Sequence, residues 1–303
     1  MPLPSFADLH AWADIRAPRL TVAAAGAADP TVLQALAEAR TRGWVEPLLV
    51  GESAAVRAAA AEAAVALDGL RIVDADDPAS AAVGEVRAGR SRLLMKGRVD
   101  TPALMHALLD PATGLRTGRT ICQVVLMEIV DQQRRFLLAD TGVTIGPTVE
   151  QKVDILESLI LVARTLGTAE PRVALVGATE KVSTAMPDTL DAGELTRRNR
   201  AGEFAGAFVE GPLSFDLAYA ADAGAKKQMK GTVVGAADAM LFPNLLAANL
   251  TVKAVMYTAR CRFGGVLCGA ACPVVFMSRA DTAETRLNSL ALALRIAVAD
   301  ILR

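Results

Sequence analysis

The sequence predicts an α/β protein whose strands are mostly parallel and joined by helical crossovers. Short apolar runs rich in Val, Leu and Ile alternate with longer helix-periodic segments along almost the whole chain. The runs are continuous rather than alternating in polarity, as strands are when helices cover both faces of a sheet. With 303 residues there is material for two domains. No Pro/Gly/Ser-rich tether separates two halves, so the division is expected to be made by strands passing between domains.

In chain order the expected strands are 20–25, 46–50, 71–74, 93–96, 121–127, 135–140, 172–177, 204–210, 239–242 and 273–277. Between them, 54–66 and 79–88 are alanine-rich, with strong helical propensity and little bulk, and are expected as outer-layer helices. Segment 152–166 carries Ile155, Leu159, Val162 and Leu166 on one helical stripe, widened by Leu156 and Ile160. So broad an apolar face implies burial between layers or a subunit contact.

Charge and composition then exclude several classes. The chain has 32 Lys+Arg against 33 Asp+Glu and only 4% aromatic residues, which removes the footprint of a nucleic-acid binder. Apolar stretches are interrupted by Glu or Arg long before the ~20 residues of a membrane span, and the N-terminus carries no export signal, so a cytoplasmic protein with no membrane partner is expected. Cys122, Cys261, Cys268 and Cys272 complete no zinc pattern, and His10 and His106 fall on expected helices as packing residues. No metal site is expected. Neither a Walker loop nor a Gly-x-Gly-x-x-Gly turn is present.

Polar clusters instead gather where strands end, the place where open α/β sheets bind ligands. They are Lys96-Gly97 with Asp100 and Thr101, Asp140-Thr141-Gly142, Thr179-Glu180, Glu210 through Asp216, Asn244 with Asn249 and Lys253, and Ser278-Arg279-Ala280-Asp281. Each has a plain alternative: Asp100, Ser214, Ser278 and Asp281 as helix N-caps, Gly97 and Gly142 as turn residues, and Lys253 as a solvated charge.

In order and wording these clusters resemble the phosphate acyltransferase family, the phosphate acetyltransferases and phosphate butyryltransferases, with the butyryl-type branch the most similar. The resemblance spans about residues 19–300. It rests on Leu94-Met95-Lys96-Gly97 with Thr101, Asp140-Thr141-Gly142 with Pro147, Pro171-Arg172-Val173-Ala174, and Pro187 with Thr189. It continues through Gly211-Pro212-Leu213 with Phe215-Asp216, Pro243-Asn244-Leu245 with Asn249 and Lys253, and Ser278-Arg279-Ala280-Asp281.

The resemblance implies two three-layer α/β domains with an interdomain cleft, related to the isocitrate/isopropylmalate dehydrogenase-like fold. Residues 1–140 and 268–303 would form the first domain and 141–267 the second. It further implies a cytoplasmic homodimer that moves a short-chain acyl group reversibly between coenzyme A and inorganic phosphate. Acyl-CoA and phosphate would be its partners, with no tightly bound cofactor. Ser278, Arg279 and Asp281 would be catalytic, and Lys96, Gly97, Thr101, Asp140, Thr141, Gly142, Asp216, Asn244, Asn249 and Lys253 would bind substrate. A guanidinium fork suits a phosphoryl group, a serine hydroxyl can donate to charge developing on oxygen or sulfur, and a carboxylate can serve a thiol as base.

Departures from the family pattern stand at Cys122-Gln123, Glu210, Leu217 and Ala248, and Thr285 occupies the position of the acetyl branch's base. They keep open an alternative, a catalytically weak paralogue that binds coenzyme A or an acyl phosphate as a regulatory subunit.

Overall fold

The computed structural model describes residues 2–301. The chain begins with α1 (Phe6–Arg16), β1 (Leu20–Ala25), α2 (Pro30–Thr41), β2 (Val45–Val50), α3 (Ser53–Glu62), β3 (Arg71–Val73), α4 (Pro78–Arg87), β4 (Leu93–Lys96) and α5 (Thr101–Leu109). It continues with β5 (Cys122–Ile129), β6 (Arg134–Ala139), α6 (Val149–Thr165), β7 (Arg172–Val176), α7 (Pro187–Arg200), β8 (Phe208–Leu213), α8 (Phe215–Tyr219), α9 (Ala221–Lys227) and β9 (Ala239–Leu241). Last come α10 (Leu245–Thr258), β10 (Cys261–Cys268), β11 (Val274–Val275) and α11 (Ala283–Ile301).

Two compact units result. One combines residues 6–119 with the chain from Phe263 onward; the other combines the N-terminal residues through Ser5 with Thr120–Arg262. Residues 120–140, assigned from the sequence to the first domain, thus pack with the middle of the chain. Each unit is named below for the loop that matters most in it.

In the Ser278 unit the strand order is β3-β2-β1-β4-β11-β10. The first five strands run parallel, and β10 returns antiparallel to β11 with Val266 opposite Val275. Strand β10, which carries the Gly264-Gly265 pair, is absent from the sequence expectation. There a side chain at Gly264 would meet the Ser289 amide nitrogen at 2.9 Å, so the glycine lets α11 lie close. Val22, Ala23, Ala24 and Ala25 of β1 are fully buried, between β2 and β4 and against α4. Helix α3 stops four residues short of the expected 66. Ala64 adopts a left-handed conformation (φ 53°), and the Val65 amide closes on the Ala60 carbonyl.

The Asp140 unit has the order β5-β6-β9-β7-β8. Pairs β6–β9, β9–β7 and β7–β8 are parallel, but β5 and β6 form an antiparallel hairpin, correcting the expectation of crossovers throughout. Residues 204–206, expected to open a strand, are turn, and β8 begins at Phe208. A reciprocal capping box between Thr148 and Gln151 starts α6. Its stripe of Ile155, Leu156, Leu159, Ile160 and Val162 is buried against β5, β6 and β9, so the broad apolar face is a layer contact within its own unit.

Candidate active site

In the Ser278 unit, the loop after β4 is held by backbone. Gly97 and Arg98 amides donate to the Ala25 and Gly26 carbonyls at 2.9 and 2.7 Å, and a side chain at Gly97 would meet the Gly26 oxygen at 2.3 Å. Gly97 is therefore required by close approach of two strand-end loops. Lys96, the last residue of β4, is buried, with its ammonium 6.0 Å from the Phe276 ring centre. Burial, followed by the guanidiniums of Arg279 and Arg286, pushes Lys96 below the ordinary lysine value.

The Ser278–Asp281 segment follows β11 and precedes α11. Its residues Ser278 and Arg279 are exposed. Arg279 pairs with Asp100, the residue at the start of α5 beside exposed Thr101. Asp281 Oδ2 accepts from the Ser278 amide at 2.6 Å, and the Ser278 hydroxyl accepts from the Ala280 amide at 3.4 Å. The capping alternative fails here: Thr282 Oγ1 accepts from the Thr285 amide at 3.2 Å, and so Thr282, not Asp281 or Ser278, caps α11. Asp100 and Ser214 also stand at N-cap positions without side-chain capping bonds.

In the Asp140 unit the carboxylate of Asp140 is buried and saturated by main chain. Its oxygens accept from the amides of Gln123 (3.0 Å), Gly142 (3.0 Å), Val143 (3.2 Å) and Thr144 (2.7 Å). Asn249 Nδ2 donates to the Thr141 carbonyl at 3.1 Å, and the Thr141 hydroxyl donates to Gln123 Oε1 at 3.0 Å. Asp140, Thr141, Gly142 and Asn249 therefore form one cluster.

Asn244 caps α10, accepting from the Ala247 amide at 3.0 Å, and lines an open cavity of about 520 Å³ with Val176, Met186, Thr189, Phe215 and Leu250. Asp216, next to Phe215 in α8, pairs with Lys227 at 3.1 Å. That ammonium also reaches Glu180 and the Ser214 hydroxyl, each at 2.9 Å. Lys253 is exposed on α10.

The departures from the family pattern sort by position. Leu217 and Ala248 are fully buried, and Glu210 accepts from the Thr232 and Val233 amides at 2.9 and 3.2 Å. Those three serve packing and loop closure. Gln123 bonds a candidate substrate residue, Thr141, and its amide oxygen lies 2.1 Å from where a Gly142 side chain would begin.

Sequence reasoning missed Arg286, which is 1% exposed. Its signal is an arginine at the head of an apolar stripe, with Leu290, Ala293 and Ala297 following on the same helical face, all buried. Among the described residues no group of His, Cys, Asp or Glu could hold a metal ion, and no helix is long and apolar enough to cross a membrane.

The phosphate acetyl/butaryl transferase family model matches residues 75–294. A phosphate acetyltransferase of Thermotoga maritima is 37% identical over 90% of this chain and 93% of its own. The phosphate butyryltransferase of Clostridium acetobutylicum is 35% identical over 91% and 93%. Acetyl- and butyryl-type relatives therefore match almost equally. A branched-chain phosphotransacylase from Enterococcus faecalis V583 superposes with a TM-score of 0.80 at 29% identity, covering 92% of this chain and 99% of that one. A 4-hydroxythreonine-4-phosphate dehydrogenase from Klebsiella pneumoniae, at a TM-score of 0.52 and 15% identity over 92% and 99% of the two chains, shares the fold alone, which places the architecture among dehydrogenase-like α/β folds. On its sequence and its fold together, the chain belongs to the phosphate acetyl/butaryl transferase family.

Proposed function

We propose that this protein transfers a short-chain acyl group reversibly between coenzyme A and inorganic phosphate. The observation that carries the reading, within a family of that chemistry, is the gathering of Lys96, Arg279 and Arg286 around the end of β4 and the Ser278 loop. Burial, and after it the two guanidiniums, disfavours the charged form of Lys96, and an added dianion would favour the protonated ammonium.

In this scheme Arg279 and Lys96 hold phosphate. A phosphate oxygen attacks the thioester carbonyl, the C–O bond forms, the C–S bond breaks, and the thiolate departs to take up a proton. Ser278 donates to the oxyanion or to the departing sulfur. Asp281, with one oxygen on the Ser278 amide, shapes that loop. Thr101 and Gly97 frame the anion site, and Asp140, Thr141, Gly142, Asn244, Asn249, Lys253 and Asp216 are read as substrate-binding residues. The protein works as a cytoplasmic homodimer and needs no tightly bound cofactor.

Phosphate-dependent release of free thiol from a panel of acyl-CoAs tests this reading and fixes the acyl length together. Thiol release that requires phosphate is the expected result. Calorimetric binding of coenzyme A with no release from any acyl-CoA would instead make the protein a binding subunit.

A further inference from the structure

We infer that Arg286 is a positioning residue for phosphate, setting the Ser278–Arg279 loop against the end of β4. The inference rests on the proposed role of that loop and goes beyond it, because Arg286 touches none of the reacting groups. From near the start of α11 its guanidinium reaches three segments far apart in sequence. Nε donates to Thr31 Oγ1 at 2.9 Å, Nη2 to the Ser278 carbonyl at 3.1 Å, and Nη1 to the Lys96 carbonyl at 3.5 Å. Two of these acceptors belong to Lys96 itself and to the residue preceding Arg279. One rigid fork therefore fixes the backbone that presents both proposed phosphate cations.

The setting is costly for a residue that only fills space. Arg286 is 1% exposed, and its ion pair with Asp29 is long, at 3.8 Å. The other Asp29 oxygen is committed to the Thr31 and Val32 amides that start α2. Burial works against the guanidinium charge, which is offset by Asp29 and Asp281. An apolar side chain of similar volume would occupy such a site at lower cost. What it could not supply is three donors in one plane and a fixed positive charge beside Lys96.

The test uses the full chain carrying Arg286→Met, Arg286→Lys, Thr31→Val and Arg279→Ala, with thiol release measured against phosphate and acyl-CoA separately. For folded Arg286→Met, the KM for phosphate is expected to rise about 10-fold or more and kcat to fall, while the KM for acyl-CoA stays within about twofold. Arg286→Lys should restore part of the loss. Combined with Arg279→Ala, the Arg286→Met loss should be less than multiplicative, because both act on one loop.

Should Arg286→Met fail to fold, Thr31→Val, which removes the Nε acceptor along with the hydroxyl's own bond to Asp29, should still raise the phosphate KM about threefold without moving that for acyl-CoA. A folded Arg286→Met or Thr31→Val with an unchanged phosphate KM, or losses that multiply independently with Arg279→Ala, would overturn the inference. If Arg279→Ala itself leaves phosphate use unchanged, it is the reading of the loop as the phosphate site that fails.

Discussion

Two strand-end loops solve opposite problems. The Asp140 loop places a buried carboxylate under four main-chain amides, so its charge is satisfied by its own backbone. Around the Ser278 loop, cations crowd one another and Lys96 is pushed below the ordinary lysine value by burial and by Arg279 and Arg286. In the first loop the charge is met by main chain; in the second the cations lean on side-chain carboxylates, Arg279 on Asp100 and Arg286 on Asp29. Loops whose polar groups are saturated by main chain are scaffolding that can present neighbours such as Thr141 and Asn249, whereas a cluster of cations held by exchangeable side-chain partners points to the chemistry.

The comparison breaks most visibly at Arg279. Arg279→Ala should lower turnover by at least about 10²-fold and leave the fold intact, with Arg279→Lys recovering only part because the planar fork is lost. Unchanged steady-state kinetics in the folded variant would remove Arg279 from the site.

Stability should show the reverse order. Asp140→Ala strands four main-chain amides and should cost about 3 kcal/mol in denaturant unfolding, whereas Ser278→Ala, at an exposed position, should stay within about 0.5 kcal/mol. Equal losses at the two positions would erase the distinction between scaffold and site.

A smaller effect concerns Lys96 and pH. Its pKa is lowered in the folded chain, so between that lowered value and the unfolded one the unfolded state binds more protons, and stability from this group rises with pH. Phosphate has the opposite interest, because it favours the protonated ammonium. Phosphate affinity should therefore fall as pH climbs through the lowered value, with a proton taken up on binding. In Lys96→Arg, compared at the same pH to cancel the titration of phosphate itself, that part of the fall should vanish. Parallel pH profiles for the two proteins would show that Lys96 does not face the anion.

The smallest expected change is none. Burial pushes the Cys272 thiol up to about 12, so it holds no thiolate at neutral pH, and Cys272→Ala together with Cys268→Ala should leave thiol release near wild type. Turnover should also survive a chelator. Abolished turnover in the folded double variant would require a covalent acyl-cysteine route.

What the sequence made legible follows from what is local. Strands β1 and β4 match the expected spans because each is a continuous apolar run closed by a turn. Strand β10 was hidden because the closeness of α11 to Gly264, a contact between residues far apart in the chain, decides the fate of its glycine pair. At the site, Ser278 and Arg279 stand together in the motif itself. Arg286 depends on acceptors at Thr31 and Lys96, which no local pattern joins to it. Leu217 shows the converse: a departure beside a family motif is a fully buried packing residue.

The single carboxylate of Asp140 also gives its loop a distinctive motion. Because the amides of Gln123, Gly142, Val143 and Thr144 share one acceptor group, none of them gains much by opening alone. Their deuterium uptake should be slow and synchronous, resembling a strand interior more than a surface connection, and the segment should release as a latch does, all at once.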